Sequence, residues 1–229
     1  MSVPPIEVVD VVKDYPVADG LVRVLRSINM VVYEGEMVAI MGASGSGKTT
    51  LLNILGCLDT PTSGAYNLDG VDVSRLNRNE LAKVRNEKIG FIFQSFNLIH
   101  RATALRNVEI PLVYGRYTKW RRSIAKGWLR TMGLGHRLDH RPSQLSGGEQ
   151  QRVAITRALV TGPRIILADE PTGNVDSLTG EKILSLLKDV HNEGNTLLVV
   201  THSSELARKC ERTLVLRDGQ FVDVAQSAV

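Results

Sequence analysis

Short apolar runs rich in β-branched residues recur along the chain, at 6–12, 37–41, 89–93, 165–168 and 196–200. The last two are apolar at successive positions, which predicts strands of a parallel sheet covered on both faces. Between such runs the period lengthens. Ile183, Leu186, Leu187 and Val190 follow i, i+3, i+4, i+7 spacing and predict a helix with one apolar side, closed by Gly194 before the next strand. Buried strands alternating with amphipathic helices specify an α/β fold. Residues 6–33 and 66–68 read instead as antiparallel strands, and Asp218-Gly219 between two apolar runs is a hairpin signal. Residues 96–141 lack a buried-strand run and read as an inserted helical lobe, basic in places.

Composition removes several classes. The 229 residues carry a net charge of +4, too small and too scattered to require a nucleic-acid partner. The two cysteines, Cys57 and Cys210, form neither a disulfide framework nor a metal-ligand spacing, which fits a reducing compartment. Met1-Ser2-Val3-Pro4-Pro5 lacks the basic and apolar regions of a signal peptide. No run approaches the ~18 apolar residues that a membrane-spanning helix needs.

The segment Gly42-Ala43-Ser44-Gly45-Ser46-Gly47-Lys48-Thr49 matches the phosphate-binding loop pattern in full. An apolar strand enters it and a helix beginning near Thr50 leaves it. Glycines let the backbone turn its N–H groups and a helix N-terminus towards phosphate oxygens. Lys48 is expected to reach the β- and γ-phosphates, and the Thr49 hydroxyl to bind Mg2+. The strand at 165–168 ends in Asp169, a second candidate for Mg2+, followed by Glu170 as a candidate general base. His202 follows the strand at 196–200, at the same edge, where a γ-phosphate contact is expected.

Residues 145–152, Leu-Ser-Gly-Gly-Glu-Gln-Gln-Arg, precede an amphipathic helix. Ser146 is a natural N-cap, and Gly147-Gly148 expose N–H groups at a second anion-binding helix start. A chain with one triphosphate site has no local need for another. The economical explanation is that this helix caps a nucleotide held by a second copy.

At this point the sequence resembles the ATP-binding-cassette (ABC) family of ATPases, from Tyr15 to about Gly219. The resemblance rests on the phosphate loop, Gln94 in Phe93-Gln94-Ser95, the segment at 145–150, Asp169-Glu170, Asp176 in Gly173-Asn174-Val175-Asp176, and His202. Residues 56–64, 140–149 and 168–174 resemble one branch, the ATPase subunits of lipoprotein-release and macrolide-export systems. The resemblance implies a P-loop ATPase core with a mainly parallel sheet, an antiparallel β subdomain and an inserted helical subdomain. Residues 1–93 and 160–229 would form the core and 96–158 the helical part of a single domain. It implies two copies sandwiching ATP head to tail, with Ser146, Gly147, Gly148 and Glu149 acting in trans. Tyr15 is then the adenine-stacking aromatic, with Gly42, Ala43, Ser44, Gly45, Ser46, Gly47, Lys48, Thr49 and Thr50 around the nucleotide. Gln94 joins Thr49 and Asp169 at Mg2+, and Asp176 lies in a loop coupling the two subunits. A separate membrane permease is the implied partner, docking near 95–117, with the ATPase on the cytoplasmic face of the membrane. An importer subunit and a non-transport nucleic-acid ATPase remain alternatives. A long coiled coil typical of the latter has no room between Gln94 and Leu145, which are 51 residues apart. A small-molecule kinase would leave residues 145–150 without a purpose. One departure is Ser203, where many members carry Asp.

Two further signals carry bland readings. Trp120, Ile124 and Trp128 stand in a basic stretch and are expected on the inner face of a helix with a solvated charged side. His136 and His140 are four apart, but no further ligand accompanies them, so no zinc is expected.

Overall fold

A computed structural model of the chain describes residues 3–18, 20–114 and 118–222. Met1 and Ser2 of the leader reading, and Tyr117 at the end of the proposed docking stretch, lie outside the described residues.

Among the described residues, ten strands form two sheets. The first is antiparallel, in the order β2 (Gly20–Val32), β1 (Ile6–Val17), β4 (Ser63–Leu68), β5 (Val71–Asp72). The second runs β10 (Gln220–Val222), β9 (Arg212–Arg217), β3 (Met37–Met41), β8 (Thr196–Val200), β7 (Ile165–Asp169), β6 (Ile89–Ile92). Its five central and outer strands are parallel, and only β10 is antiparallel, returning from β9 through Asp218 and Gly219. Both turn residues have positive φ, 48° and 79°, the conformation that an Asp-Gly hairpin supplies cheaply. The predicted α/β class, the antiparallel strands and the hairpin are all present.

Every residue of β8, and 165–168 of β7, is buried, as unbroken apolar runs require of strands covered on both faces. One face, with Val38, Ile40, Ile165, Leu167, Leu198 and Val200, shares a core with the antiparallel sheet. Between the two sheets lies α1 (Lys48–Leu55). Eight residues cannot sustain a helix alone. Leu51, Leu52, Ile54 and Leu55 are fully buried, and at roughly 1.5–3 kcal/mol each this packing fixes the helix start, and with it the phosphate loop.

The opposite face packs on α5 (Gly147–Leu159), α6 (Ser177–Asn192) and α7 (Ser204–Ala207). In α6, Ile183, Leu187 and Val190 are buried and Leu186 is partly so. A third core joins α3 (Ala104–Val113), α4 (Arg121–Thr131) and the first half of α5. Within α5, Val153 and Ala154 belong to this helical core, whereas Ile155, Ala158 and Leu159 belong to the sheet. One rigid helix therefore bridges the two bodies. The helix α2 (Arg78–Lys88) was not evident in the hydrophobic pattern, because only Leu81 in it is buried. Trp120 departs from expectation: it precedes α4, is 70% exposed, and leaves the inner face to Ala125, Leu129 and the partly buried Ile124 and Trp128.

Candidate nucleotide site

The parallel strands β3, β6, β7 and β8 end at one edge of the sheet, where ligands of open α/β folds bind. The backbone locks these tips together. Thr201 N–H donates to Ile40 O at 3.1 Å, and Glu170 N–H donates to Val200 O at 2.9 Å. The phosphate loop after β3, Asp169 at the end of β7 with Glu170 beyond it, His202 after β8 and, through the pairing of β6 with β7, Gln94 share this edge.

The loop is also tied to the hairpin beside it, since Gly219 N–H donates to Ser46 O at 3.0 Å. A Cβ on Gly42 would lie 2.3 Å from Leu216 O, so only glycine lets the loop run this close to β9. Gly47 stands at φ 104°, with Leu25 Cδ2 2.9 Å from where a Cβ would be. Lys48 Nζ donates to Gly42 O and Ala43 O at 2.7 and 2.8 Å, so the ammonium spans the loop's mouth. Ser46 Oγ is buried without a hydrogen-bond partner.

Burial raises the Asp169 carboxyl above its ordinary value, neighbouring Glu170 raises it further, and Lys48 opposes both. An acid so placed gains from a cation. The Thr49 hydroxyl, Gln94 amide and Asp169 carboxylate all offer oxygen donors, a chemistry that suits Mg2+. Glu170 has φ 43°, a left-handed conformation that a non-glycine residue adopts only when its surroundings enforce it. They do so here. Its Oε1 lies 2.7 Å from His202 Nδ1, and its Oε2 accepts from Thr201 Oγ1 at 3.2 Å. The histidine expected at a γ-phosphate is thus in contact with Glu170. Ser203, in place of the more usual Asp, caps α7 by accepting from Leu206 N–H.

The backbone carbonyl of Gln94 accepts from Asn174 Nδ2 at 2.9 Å, and its side-chain amide lies against Gly173, where a Cβ would be 2.9 Å away. This places Gln94 under the loop that runs from Glu170 to Asp176. Asp176 itself caps α6, accepting from Thr179 N–H at 3.0 Å. Two α5 residues that the sequence reading missed hold this region. Gln151 donates to Pro171 O at 2.8 Å, and Arg157 donates to Phe96 O and Asn97 O at 2.8 and 2.5 Å. A buried Gln and an Arg on the apolar side of an amphipathic helix were the available signal.

At the start of α5, Ser146 Oγ accepts from Glu149 N–H while Glu149 accepts from Ser146 N–H, a complete capping box. Arg137 Nε holds Glu149 Oε1 at 2.9 Å, and its guanidinium also contacts His140 Nε2 at 3.2 Å. Gly148 has an internal reason to be glycine, because a Cβ would meet Thr179 Cγ2 at 2.7 Å. Gly147 has none. Its Cβ would meet nothing nearer than 3.9 Å, and its φ is not positive.

Tyr15 lies near the end of β1, where its hydroxyl donates to Asp59 Oδ2 at 2.7 Å. Away from this edge, a groove of about 640 Å³ is lined by Asn86, Phe91, Phe93, Ile110, Pro111 and Tyr114, among others. Its position overlaps the expected docking stretch at 95–117, but α2 and β6 contribute much of the wall.

A phosphate loop after β3, with an acid pair at the tip of β7 one strand further on, defines a P-loop nucleoside triphosphatase. A family model described as ABC transporter matches residues 25–173. The chain is 54% identical over 220 residues to the macrolide export ATP-binding/permease protein MacB of Brucella melitensis, covering 96% of this chain and 34% of that protein. It is 53% identical over 224 residues to an uncharacterized ABC transporter ATP-binding protein of Thermotoga maritima, covering 97% and 96% respectively. A dimeric, post-hydrolysis structure of the ATP-binding cassette MJ0796 bound to ADP and Pi superimposes with a TM-score of 0.88 at 46% identity, over 95% of this chain and 97% of that one. The chain belongs to the ABC transporter family, as an ATPase cassette. It spans about a third of the length of the MacB relatives it matches.

Proposed function

We propose that the chain is the ATP-hydrolysing component of a membrane exporter, working as a head-to-tail pair around two ATP and driving a permease supplied by a separate polypeptide. The observation that carries the pairing is Gly147. Its own fold gives it no reason to be glycine, yet it stands exposed at the first position of a helix. A partner's triphosphate against that helix start requires the bare backbone. The export direction draws on the likeness to MacB. The separate permease draws on the Thermotoga relative, which has the same single-cassette length.

In this reading residues 42–50 wrap the triphosphate, and Lys48 leaves the two loop carbonyls to meet the β- and γ-phosphates. Tyr15 stacks on adenine. Thr49, Gln94 and Asp169 would hold Mg2+, which supplies charge neutralisation at the phosphate oxygens when bound. Glu170 orients the attacking water and accepts its proton, while His202 Nδ1–H holds the carboxylate in position. Ser146, Gly147 and Gly148 of the second copy close over the γ-phosphate, and Asp176 lies in the loop between the paired sites. Binding closes the pair; hydrolysis at Glu170 reopens it. The permease docks in the groove beside Phe91, Phe93 and Tyr114, from which Gln94 and Arg157 lead back to the site. The pair sits on the inner face of the cell membrane through that contact, with no nucleic acid involved.

The test is steady-state phosphate release at increasing chain concentration. Turnover per chain should rise with concentration before levelling off, because each site needs two chains. Turnover per chain that stays constant through the lowest measurable concentrations contradicts the pairing.

A further inference from the structure

Three features around Tyr15 converge on one carboxylate. Asp59, just beyond α1, accepts from Tyr15 Oη at 2.7 Å through Oδ2 and from Lys13 Nζ at 2.7 Å through Oδ1. Lys13 also donates to Thr60 O at 2.8 Å, and Thr60 N–H donates to Asp59 Oδ1 at 2.8 Å. The Lys13 ammonium lies 4.8 Å from the centre of the Tyr15 ring. Although Lys13 is only 8% exposed, each of its contacts is local to this cluster. Burying a cation is costly unless it is paired, so the cluster is a fixed unit and not a solvated surface pair.

The consequence for the ring is geometric. Tyr15 and Lys13 project from the same side of β1, two residues apart. One ring face is taken by the ammonium, and the hydroxyl is pinned at its tip. Both rotations of the side chain are thereby restricted, leaving the second face in one orientation. Burial would raise the Asp59 carboxyl, but the bonds from Lys13, Tyr15 and Thr60 N–H hold it below the ordinary value, so it is an ionised acceptor at neutral pH. A charged acceptor makes the stronger class of hydrogen bond.

We infer that Asp59, with Lys13, is a positioning residue for nucleotide recognition: it fixes the Tyr15 ring as a one-faced platform for a purine base. This rests on the reading of Tyr15 as the base-stacking residue. Asp59 touches no nucleotide itself. It acts by removing the rotational freedom that the ring would otherwise lose on binding, which is the usual source of affinity from preorganisation.

The experiment compares the full chain with Tyr15→Phe, Asp59→Ala, the double variant and Tyr15→Ala. Two quantities are read: KM and kcat for ATP, and the inhibition constant of inorganic tripolyphosphate, which has phosphates but no base. Tyr15→Phe keeps the ring and the fold while removing the pinned hydroxyl. It should raise KM for ATP about five-fold, the scale of one net hydrogen bond. Asp59→Ala should do the same, and the double variant should be no worse than the worse single one, because both remove one interaction. Values of kcat and tripolyphosphate inhibition should stay within about two-fold of the parent, since the phosphate site is untouched. If Tyr15→Ala raises KM but Tyr15→Phe does not, the ring stacks without needing Asp59, and the inference is overturned. If Tyr15→Ala itself leaves KM unchanged, the stacking reading fails. Equal weakening of ATP and tripolyphosphate would place the effect in the phosphate loop and also overturn the inference.

Discussion

Glu170 and His202 are joined across adjacent strand tips, with Oε1 2.7 Å from Nδ1. With the carboxylate as acceptor, Nδ1–H is the donor in this contact. The pair occupies a backbone position, φ 43° at Glu170, that is held by Val200 O, Thr201 Oγ1 and the ring together. A water-activating carboxylate needs such fixation. Glu170→Gln should keep ATP binding and lower kcat by at least about 10²-fold, the lower range for removing a general base. His202→Ala, which leaves the base present but unheld, should lower kcat by less, and single-turnover phosphate release would rank the two variants.

Asp169 carries the opposite kind of strain, a carboxylate paying for its burial and for its neighbour Glu170. Because its folded-state proton affinity is raised, ionisation at neutral pH weakens the nucleotide-free fold. Asp169→Asn should therefore raise the melting temperature of the nucleotide-free chain, by on the order of 2 °C if about 1 kcal/mol is relieved. The gap should close as pH falls through the raised value, where the native acid is already neutral. The same variant should lose Mg2+-dependent turnover. A lower melting temperature at neutral pH would contradict this account.

At the second helix start, Glu149 places a carboxylate where the proposed partner's triphosphate would approach, and Arg137 neutralises it. The bond from Ser146 N–H foremost, with Arg137, holds the Glu149 carboxyl below its ordinary value against the opposing effect of burial. Arg137→Ala should cut turnover several-fold by leaving a bare negative charge. Glu149→Gln in that background should restore most of it, since the amide still accepts from Ser146 N–H. No restoration would mean that Arg137 acts on the fold alone.

Gly147→Ala separates folding from function. A Cβ there would make only ordinary van der Waals contact, with Asn174 O and Val175 Cγ1 each 3.9 Å away, and alanine is the better helix former by up to about 1 kcal/mol. Thermal stability should be equal or higher, while ATP-dependent pairing and turnover are lost. Retained turnover would remove the strongest argument for the partner-facing role.

Contiguous signals were legible in the sequence, and contacts between distant segments were not. The phosphate loop, the strand ending in Asp169 and the Ser146 cap each lie within a few residues, so their chemistry is spelled out along the chain. The Tyr15–Asp59 bond joins positions 44 residues apart, and depends on how β1 packs beside the end of α1. The groove wall from α2 was missed because a helix with one buried residue has almost no hydrophobic period. Trp120 fits the spacing of Ile124 and Trp128, yet it precedes the first turn of α4, where helical periodicity does not yet place side chains. Gln151 and Arg157 were hidden by the assumption that polar residues on a helix face water, whereas here they bind the carbonyls of Pro171, Phe96 and Asn97.

In the proposed pair, one chain supplies half of each ATP site. This sharing is tested most directly by the solution mass of Glu170→Gln, measured by light scattering with and without Mg-ATP. The monomer should double its mass only with ATP, and Gly147→Ala in the same background should abolish the change. A mass that stays monomeric while bound ATP is detected at saturation would contradict the sharing.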